Sequence, residues 1–270
     1  MASKEDENIF VRQARIGNPD LEPATAVNSN FGLIFNTDFN RFSLDYWEID
    51  YENRVVSQSA QALLQSDPEG PSITRNSSGD LIGVTTTYFN EESTEVSGVD
   101  LSFNRLIASS DIYGNVSLSI NSTTLIEFLT PALGNEGSEI MINRVGKFNY
   151  DTNTHSLPKN RINAFLNWKY QDYDFNFNSR YIDGYSNERP INSLGTSYGY
   201  NNYVDSFLIH DLSVKKLLIT NRGEIDIKLS VINVFDEAAP RLYDAPDFSF
   251  DTRVHDPRGR IIGISFEYRN

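Results

Sequence analysis

Hydrophobic and polar residues alternate with a period of two along much of this chain, the pattern of extended strands whose side chains point to opposite faces. In RINAFLNWKY (161–170), Ile162, Ala164, Leu166, Trp168 and Tyr170 form one set; Arg161, Asn163, Phe165, Asn167 and Lys169 form the other. YDFNFNSRY (173–181) sets Tyr173, Phe175, Phe177 and Tyr181 against Asp174, Asn176, Asn178 and Arg180. EIDIKLSVI (224–232) and NVSLSIN (115–121) alternate in the same way, with Lys228 on the polar side of the first. The terminal GRIIGISFEYRN (259–270) places Ile262, Ile264, Phe266 and Tyr268 on one face.

Weaker versions lie at 24–36, 39–51, 94–106 and 205–216, so the pattern predicts about nine strands. Many reach the roughly 9–11 residues of a tilted membrane strand, beyond the usual five or six of a soluble one. LIGVTTTYF (81–89) is strand-like too, but is assigned here to a loop, and VVSQSAQALLQ (55–65) predicts one short helix.

The connections alternate in length. They are short at 36–38, 107–112, 171–172 and 217–223, and long at 53–93, 127–159, 185–204 and 235–257. A sandwich has no reason to gather its long loops at one end, whereas outer-membrane barrels have short periplasmic turns and long extracellular loops. Stretches such as SDPEGPSITRNSSGD (66–80) and INSLGTSYGYNN (191–202) have the Gly, Ser, Asn and Pro content of exposed segments. If the apolar set of each strand faces outward, lipid covers it and no helix layer is required.

Composition narrows the choice further. No apolar run approaches the ~20 residues of a spanning helix. A mean hydropathy of −0.42 fits a soluble protein and a transmembrane barrel alike, because lumen-facing positions are polar. With 23 basic against 37 acidic residues the net charge is −14, which repels nucleic acid. The absence of cysteine excludes disulfides and thiolate metal sites.

Counting back from a periplasmic C-terminus through nine crossings puts the first strand's start, near Ala24, outside the cell. Complete single-chain barrels have an even strand number, and MASKEDENIF shows no basic-then-apolar leader pattern. The expectation is an all-β, antiparallel transmembrane β-barrel portion, about nine to ten strands, open or incomplete as a single chain. Residues 1–23 would be an extracellular loop remnant leading into the first strand, and 24–270 the C-terminal part of the barrel.

Particular stretches then resemble a known family. GNPDLEPATA (17–26), SGVDLSF (97–103), INVFDEAAP (232–240) and HDPRGRIIGISFEYRN (255–270) resemble the C-terminal barrel half of TonB-dependent outer-membrane receptors. The matching positions are Asn18 to Pro23, Gly98 to Leu101, Asn233 to Asp236, and Gly259 with Arg260. The resemblance implies a barrel of about 22 strands, set in the lipid of the bacterial outer membrane. It also implies energy-coupled uptake of a metallophore, vitamin or glycan. The TonB complex would act through an N-terminal plug that this chain does not show. The family's last residues, usually ending on an aromatic, are read by the barrel-assembly machinery. Here Ile262, Ile264, Phe266 and Tyr268 keep that alternation but Asn270 ends the chain, implying a weakened or shifted signal.

Candidate sites are few. Arg161, Asn163, Asn167, Lys169, Asn176, Asn178, Arg180 and Lys228 form a lumen-facing polar wall that either hydrates the lumen and meets a plug or guides an anionic solute. Tyr185, Tyr198, Tyr200 and Tyr203 could stack on a sugar or catecholate from an extracellular loop, or serve as interfacial girdle. Asp244, Asp247, Asp251 and Asp256 could gather Ca²⁺, but follow no ligand-loop spacing and read better as solvated carboxylates. His155, His210 and His255 are scattered, and the sequence shows no Ser/His/Asp arrangement, no cofactor site and no enzyme. The competing reading is a soluble β-sandwich, a carbohydrate-binding or adhesin-like module.

Overall fold

The computed structural model describes residues 11–133, 139–149, 155–243 and 248–270. In chain order the elements are β1 (Arg12–Ile16), β2 (Thr25–Asn36), β3 (Asn40–Ser57), α1 (Ala60–Ser66), β4 (Ile73–Arg75), β5 (Leu81–Ser110), β6 (Gly114–Leu133) and β7 (Glu139–Asn143). They continue as β8 (Asn160–Tyr170), β9 (Tyr173–Ile182), β10 (Tyr185–Ser186), α2 (Ser193–Ser197), β11 (Tyr203–Val204), β12 (Phe207–Thr220), β13 (Gly223–Ile232) and β14 (Ile261–Arg269).

One antiparallel sheet dominates, running β14-β13-β12-β9-β8-β6-β5-β3-β2. Each expected strand falls on one member of this path, because a sustained two-residue period is a strong signal for a half-exposed ribbon. The sheet is open, with β2 and β14 as its edges. Among the described residues the remaining pieces are small: β1, β4 and β7 attach at the long-loop end, and β10 pairs with β11 and bridges Lys147 through Ser186. Among the described residues no second sheet packs across the first, so the sandwich is not favoured.

Cross-strand register shows what the alternation accomplishes. Leu118, Leu166, Phe177, Leu212, Val231 and Ile262 sit side by side on six neighbouring strands. The next row holds Val116, Trp168, Phe175, Val214, Leu229 and Ile264. On the same side, the neighbouring row from Ile120 runs through Phe103, Phe42 and Phe35 to the other edge, making one apolar face. Its side chains are uncovered: Leu33 is 57% and Phe266 68% exposed. A soluble monomer rarely exposes so large an apolar patch. Among the described residues, buried apolar side chains cluster in two small groups at the long-loop end, one around Leu64, Leu81 and Val84 and one around Tyr185, Val204 and Leu242.

Two local expectations change. Residues 81–89 are not loop but the upper part of β5, where they pair with β1, with β4 and with the top of β3. The helix is shorter than expected, because β-branched Val55 and Val56 remain in β3 opposite Asn90 and Phe89. It starts after Ser59, whose hydroxyl accepts from the Ala62 amide.

A register shift between Ser97 and Gly98 interrupts the β5–β6 pairing. Below it even-numbered residues of β6 such as Leu118 and Ile120 lie on the apolar face; above it odd-numbered Glu127 and Leu129 take that side.

Candidate functional site

The eight polar-wall residues share the face opposite the apolar rows. Asn163 stands across from Arg180, Asn167 from Asn176, Lys169 from Asp174 and Lys228 from Lys215, with Arg161 at the long-loop end of β8. Sequence reasoning selected the cations and amides and passed over their carboxylate partners, although the same alternation places Asp174, Asp211 and Asp226 on this face. Asn167 donates to Asp174 at 2.5 Å and to Asn176 at 2.8 Å. Arg180 pairs with Asp211 at 3.0 Å, and Asn178 reaches the same carboxylate at 3.4 Å. Lys215 lies 3.6 Å from Asp226.

Toward β3 the wall opens into a shallow pocket of about 430 Å³ that includes Asp45, Asp100, Asn121, Thr123, Arg161 and Asn163. Thr123 donates to Asp100 at 2.6 Å. The wall is therefore a mixed, largely self-paired surface, suited to hydrogen-bonding a polar partner or ordered water rather than to a single-sign electrostatic guide.

The four tyrosines do not form one cluster. Tyr185 is 1% exposed and its hydroxyl donates to Asp251 at 2.9 Å, so its ring is unavailable to a stacking ligand. Burial, reinforced by the adjacent Asp251 carboxylate, pushes its phenol well above the ordinary range. Tyr200 carries the Arg241 guanidinium 4.2 Å above its ring and meets Tyr243 edge-on at 5.5 Å. Hydrogen bonds with Ser249 and Arg241 hold its hydroxyl below the usual phenol range. Tyr198 and Tyr203 are exposed at the surface.

Asp251 is the centre of a buried group that no spacing in the sequence announces. Ser156 and Tyr185 donate to the same carboxylate oxygen, while the amides of Arg253 and His255 bond Asp251 at 3.0 and 2.9 Å. The His255 ring, 3% exposed, lies parallel to Tyr185 at 6.1 Å and edge-on to Phe207 at 5.4 Å. Among the described residues neither ring nitrogen has a partner. Burial lowers its pKa to about 4, with Arg161 acting in the same direction and Asp251 against it.

A serine, an aspartate and a histidine thus converge, but the serine bonds the aspartate directly and the imidazole bonds neither. That order cannot relay a proton from serine to histidine. Of the four candidate Ca²⁺ carboxylates, Asp251 is committed to these contacts and Asp256 to Arg258 at 2.7 Å, which holds it at about 2. Asp244 and Asp247 lie outside the described residues. Among the described residues no group of three or more His, Cys, Asp or Glu could hold a metal ion. Of the other histidines, His155 bonds Arg253 at 2.8 Å and His210 bonds Ser179 at 2.8 Å.

At the short-turn end the apolar face carries aromatic rings. Trp168 stacks on Phe175 at 4.8 Å, Tyr173 on Phe175 at 5.8 Å, and the Trp168 indole donates to the Tyr113 carbonyl. Ile262, Ile264, Phe266 and Tyr268 of β14 all point to this face and are exposed, with the Tyr268 hydroxyl bonded to the Arg222 carbonyl.

A family model described as TonB dependent receptor-like, beta-barrel, matches residues 6–234. The chain belongs to that family. Solved siderophore receptors and an iron transporter share the fold. The siderophore receptor PirA from Acinetobacter baumannii superposes with a TM-score of 0.59 at 18% identity, over 94% of this chain and 33% of that one. A mutant of the ferric enterobactin receptor PfeA from Pseudomonas aeruginosa, solved with enterobactin, gives 0.60 at 18% identity over 93% and 32%. The FrpB iron transporter from Neisseria meningitidis gives 0.54 at 10% over 93% and 32%. The chain therefore spans about a third of the length of these receptors, and no curated protein matches it.

Membership gives the receptor's motifs a structural setting. Gly98 lies where any Cβ would fall 2.4 Å from the Trp47 ring and 2.9 Å from the Thr124 carbonyl, so only glycine fits beneath that indole. Asn18 ties the Asn-Pro-Asp segment to β5 through the Tyr88 carbonyl at 2.9 Å, and Asn90 receives the Glu22 amide at 2.8 Å.

Proposed function

We propose that this chain is the C-terminal barrel portion of a receptor that imports a metal-chelating small molecule across the bacterial outer membrane. The observation that carries the reading is the continuous apolar face with aromatics at one rim, opposite a hydrogen-bonded polar wall. Lipid on the first face and the lumen on the second satisfy both. From Tyr173 to Tyr181 the outward side of β9 runs about 26 Å at ~3.3 Å per residue. At the usual 35–45° tilt this is about 20 Å of height, close to the ~25 Å apolar band of such barrels.

In this reading residues 1–23 lead in from an extracellular loop and 24–270 supply the barrel strands. The polar wall meets a plug contributed by another part of the receptor, through which TonB delivers force. Barrel-assembly machinery receives β14. Among metallophores, vitamins and glycans, a metallophore is favoured because PirA is named a siderophore receptor and PfeA was solved with enterobactin.

Growth on ferric metallophores under iron limitation tests the proposal. Loss of the gene should abolish use of at least one chelate, and loss of TonB should have the same effect. Detergent-free refolding of the native gene product to a soluble monomer would sink the membrane assignment, and unchanged uptake of every metallophore would redirect the substrate.

A further inference from the structure

The apolar alternation does not by itself fix how β14 pairs with β13. Sliding a strand by one residue turns every side chain to the wrong face, but sliding it by two leaves each on its own side. Ile262, Ile264, Phe266 and Tyr268 oppose Val231, Leu229, Ile227 and Ile225, and all are large and apolar, so a two-residue slip keeps a greasy row against a greasy row. At the chain end the Arg269 ion pairs tolerate a slip, because Arg269 already spans Asp226 and Glu224, and the Tyr268 hydroxyl on the Arg222 carbonyl is a single exposed contact at the turn. Something else must choose among the face-preserving registers.

The other end of the strand pair offers it. After β13 the chain turns through Asn233 and Asp236, both at positive φ, 52° and 58°. Asn233 closes the turn on itself: its side chain donates to the Glu237 carbonyl at 2.8 Å and accepts the Glu237 amide at 2.9 Å. Its own amide donates to Asp211 at 2.9 Å, and Asp211 is held by Arg180. The turn is thereby anchored to the polar wall. Twenty-odd residues later, the Arg260 amide donates to Asp236 Oδ1 at 2.7 Å, and the Arg260 guanidinium reaches the Val234 carbonyl at 3.3 Å. Gly259 adopts φ +66°, and a Cβ there would lie 2.8 Å from the same Asp236 oxygen. One carboxylate oxygen therefore grips one backbone N–H immediately before β14 begins.

We infer that the Asn233–Asp236 turn, through Asp236 on the Arg260 amide beside Gly259, sets the register of the last strand and makes it independent of the long loop between. The grip closes the loop at its base. Excursions of the segment above it then leave strand pairing unchanged, and this holds whatever solute the receptor carries.

Disulfide trapping tests it in the native gene product in isolated membranes, since this chain has no cysteine of its own. Leu229→Cys with Ile264→Cys reports the native register; Leu229→Cys with Ile262→Cys or with Phe266→Cys reports the two slipped ones. Asp236→Ala should lower the native-to-slipped ratio at least roughly tenfold, the scale of losing a hydrogen bond to a charged group, whereas Asp236→Asn, which keeps an acceptor oxygen, should retain it. Six Gly/Ser residues inserted after Ala238 should leave the native cross-link intact. The inference is overturned if Asp236→Ala reaches the membrane with an unchanged ratio, or if the insertion shifts the cross-link. Should Asp236→Ala fail to accumulate, the insertion alone decides between the same two outcomes.

Discussion

Leu166 and Phe165 are adjacent in β8, both are apolar and both are about equally exposed, at 37% and 40%, yet they point to opposite faces. Leu166 shares its row with Leu118 and Phe177, whereas Phe165 lies between Ser119 and Asn178. Leu166 is four residues from Tyr170 at the short-turn rim. That is about 13 Å along the strand and about 10 Å in height after tilting, near the middle of a ~25 Å apolar band. An arginine there should cost about 2–4 kcal/mol, the midplane value for the lipid face of a barrel, or roughly 30- to 900-fold in folding equilibrium. An arginine at Phe165 enters a face of amides and carboxylates and should cost under about 1 kcal/mol. The assay is the heat-modifiable, protease-resistant fraction in membranes from cells making Leu166→Arg or Phe165→Arg at matched expression. Equal losses, or a larger loss for Phe165→Arg, would refute the assignment of faces.

Other outcomes follow from the same geometry. Gly98→Leu should lower the thermal unfolding midpoint by overpacking against Trp47, a cost of about 1–3 kcal/mol, and Trp47→Ala in the same chain should recover part of it. His255 has a folded pKa depressed to about 4 from an ordinary 6.5. Its contribution to loop docking is therefore complete above ~6.5 and lost as pH falls toward 4, in total ~3 kcal/mol. Limited proteolysis of the 248–257 segment should accelerate over that window, and His255→Phe should flatten the dependence. Asp251→Ala should leave the buried Tyr185 hydroxyl without its acceptor and Ser156 with only the Phe148 carbonyl at 3.4 Å, costing about 1–3 kcal/mol for Tyr185, read as earlier proteolysis of the same segment at pH 7.

The alternating part of each ribbon was legible because one apolar and one polar face impose a two-residue rhythm that sequence alone displays. The upper reaches of β3, β5 and β6 were not. There the strands leave that division, and residues 81–89 become strand only by pairing with β1, β4 and β3. The wall was legible as a set of positions, but its chemistry was not, since the carboxylates that neutralise Arg180 and Lys215 become partners only through register. Least legible was the Asp251 group. Ser156 and Asp251 are 95 positions apart, and their union depends on two long loops folding over the same sheet end, which no local period encodes. The same union removed Tyr185 from the ligand-contact candidates.

The shift of pairing between Ser97 and Gly98 carries a consequence for how β6 divides its length. One surplus residue near Ile126 rotates everything beyond it by half a turn. Glu127 consequently emerges on the side that Leu118 and Ile120 occupy lower down, and with Glu48, across Ser97 from it, it places carboxylates directly above the greasy rows. In the proposed membrane setting a hydrocarbon slab could not extend past that level without dehydrating them, so this single irregularity would mark a ceiling for the lipid tails, drawn by the backbone rather than by composition.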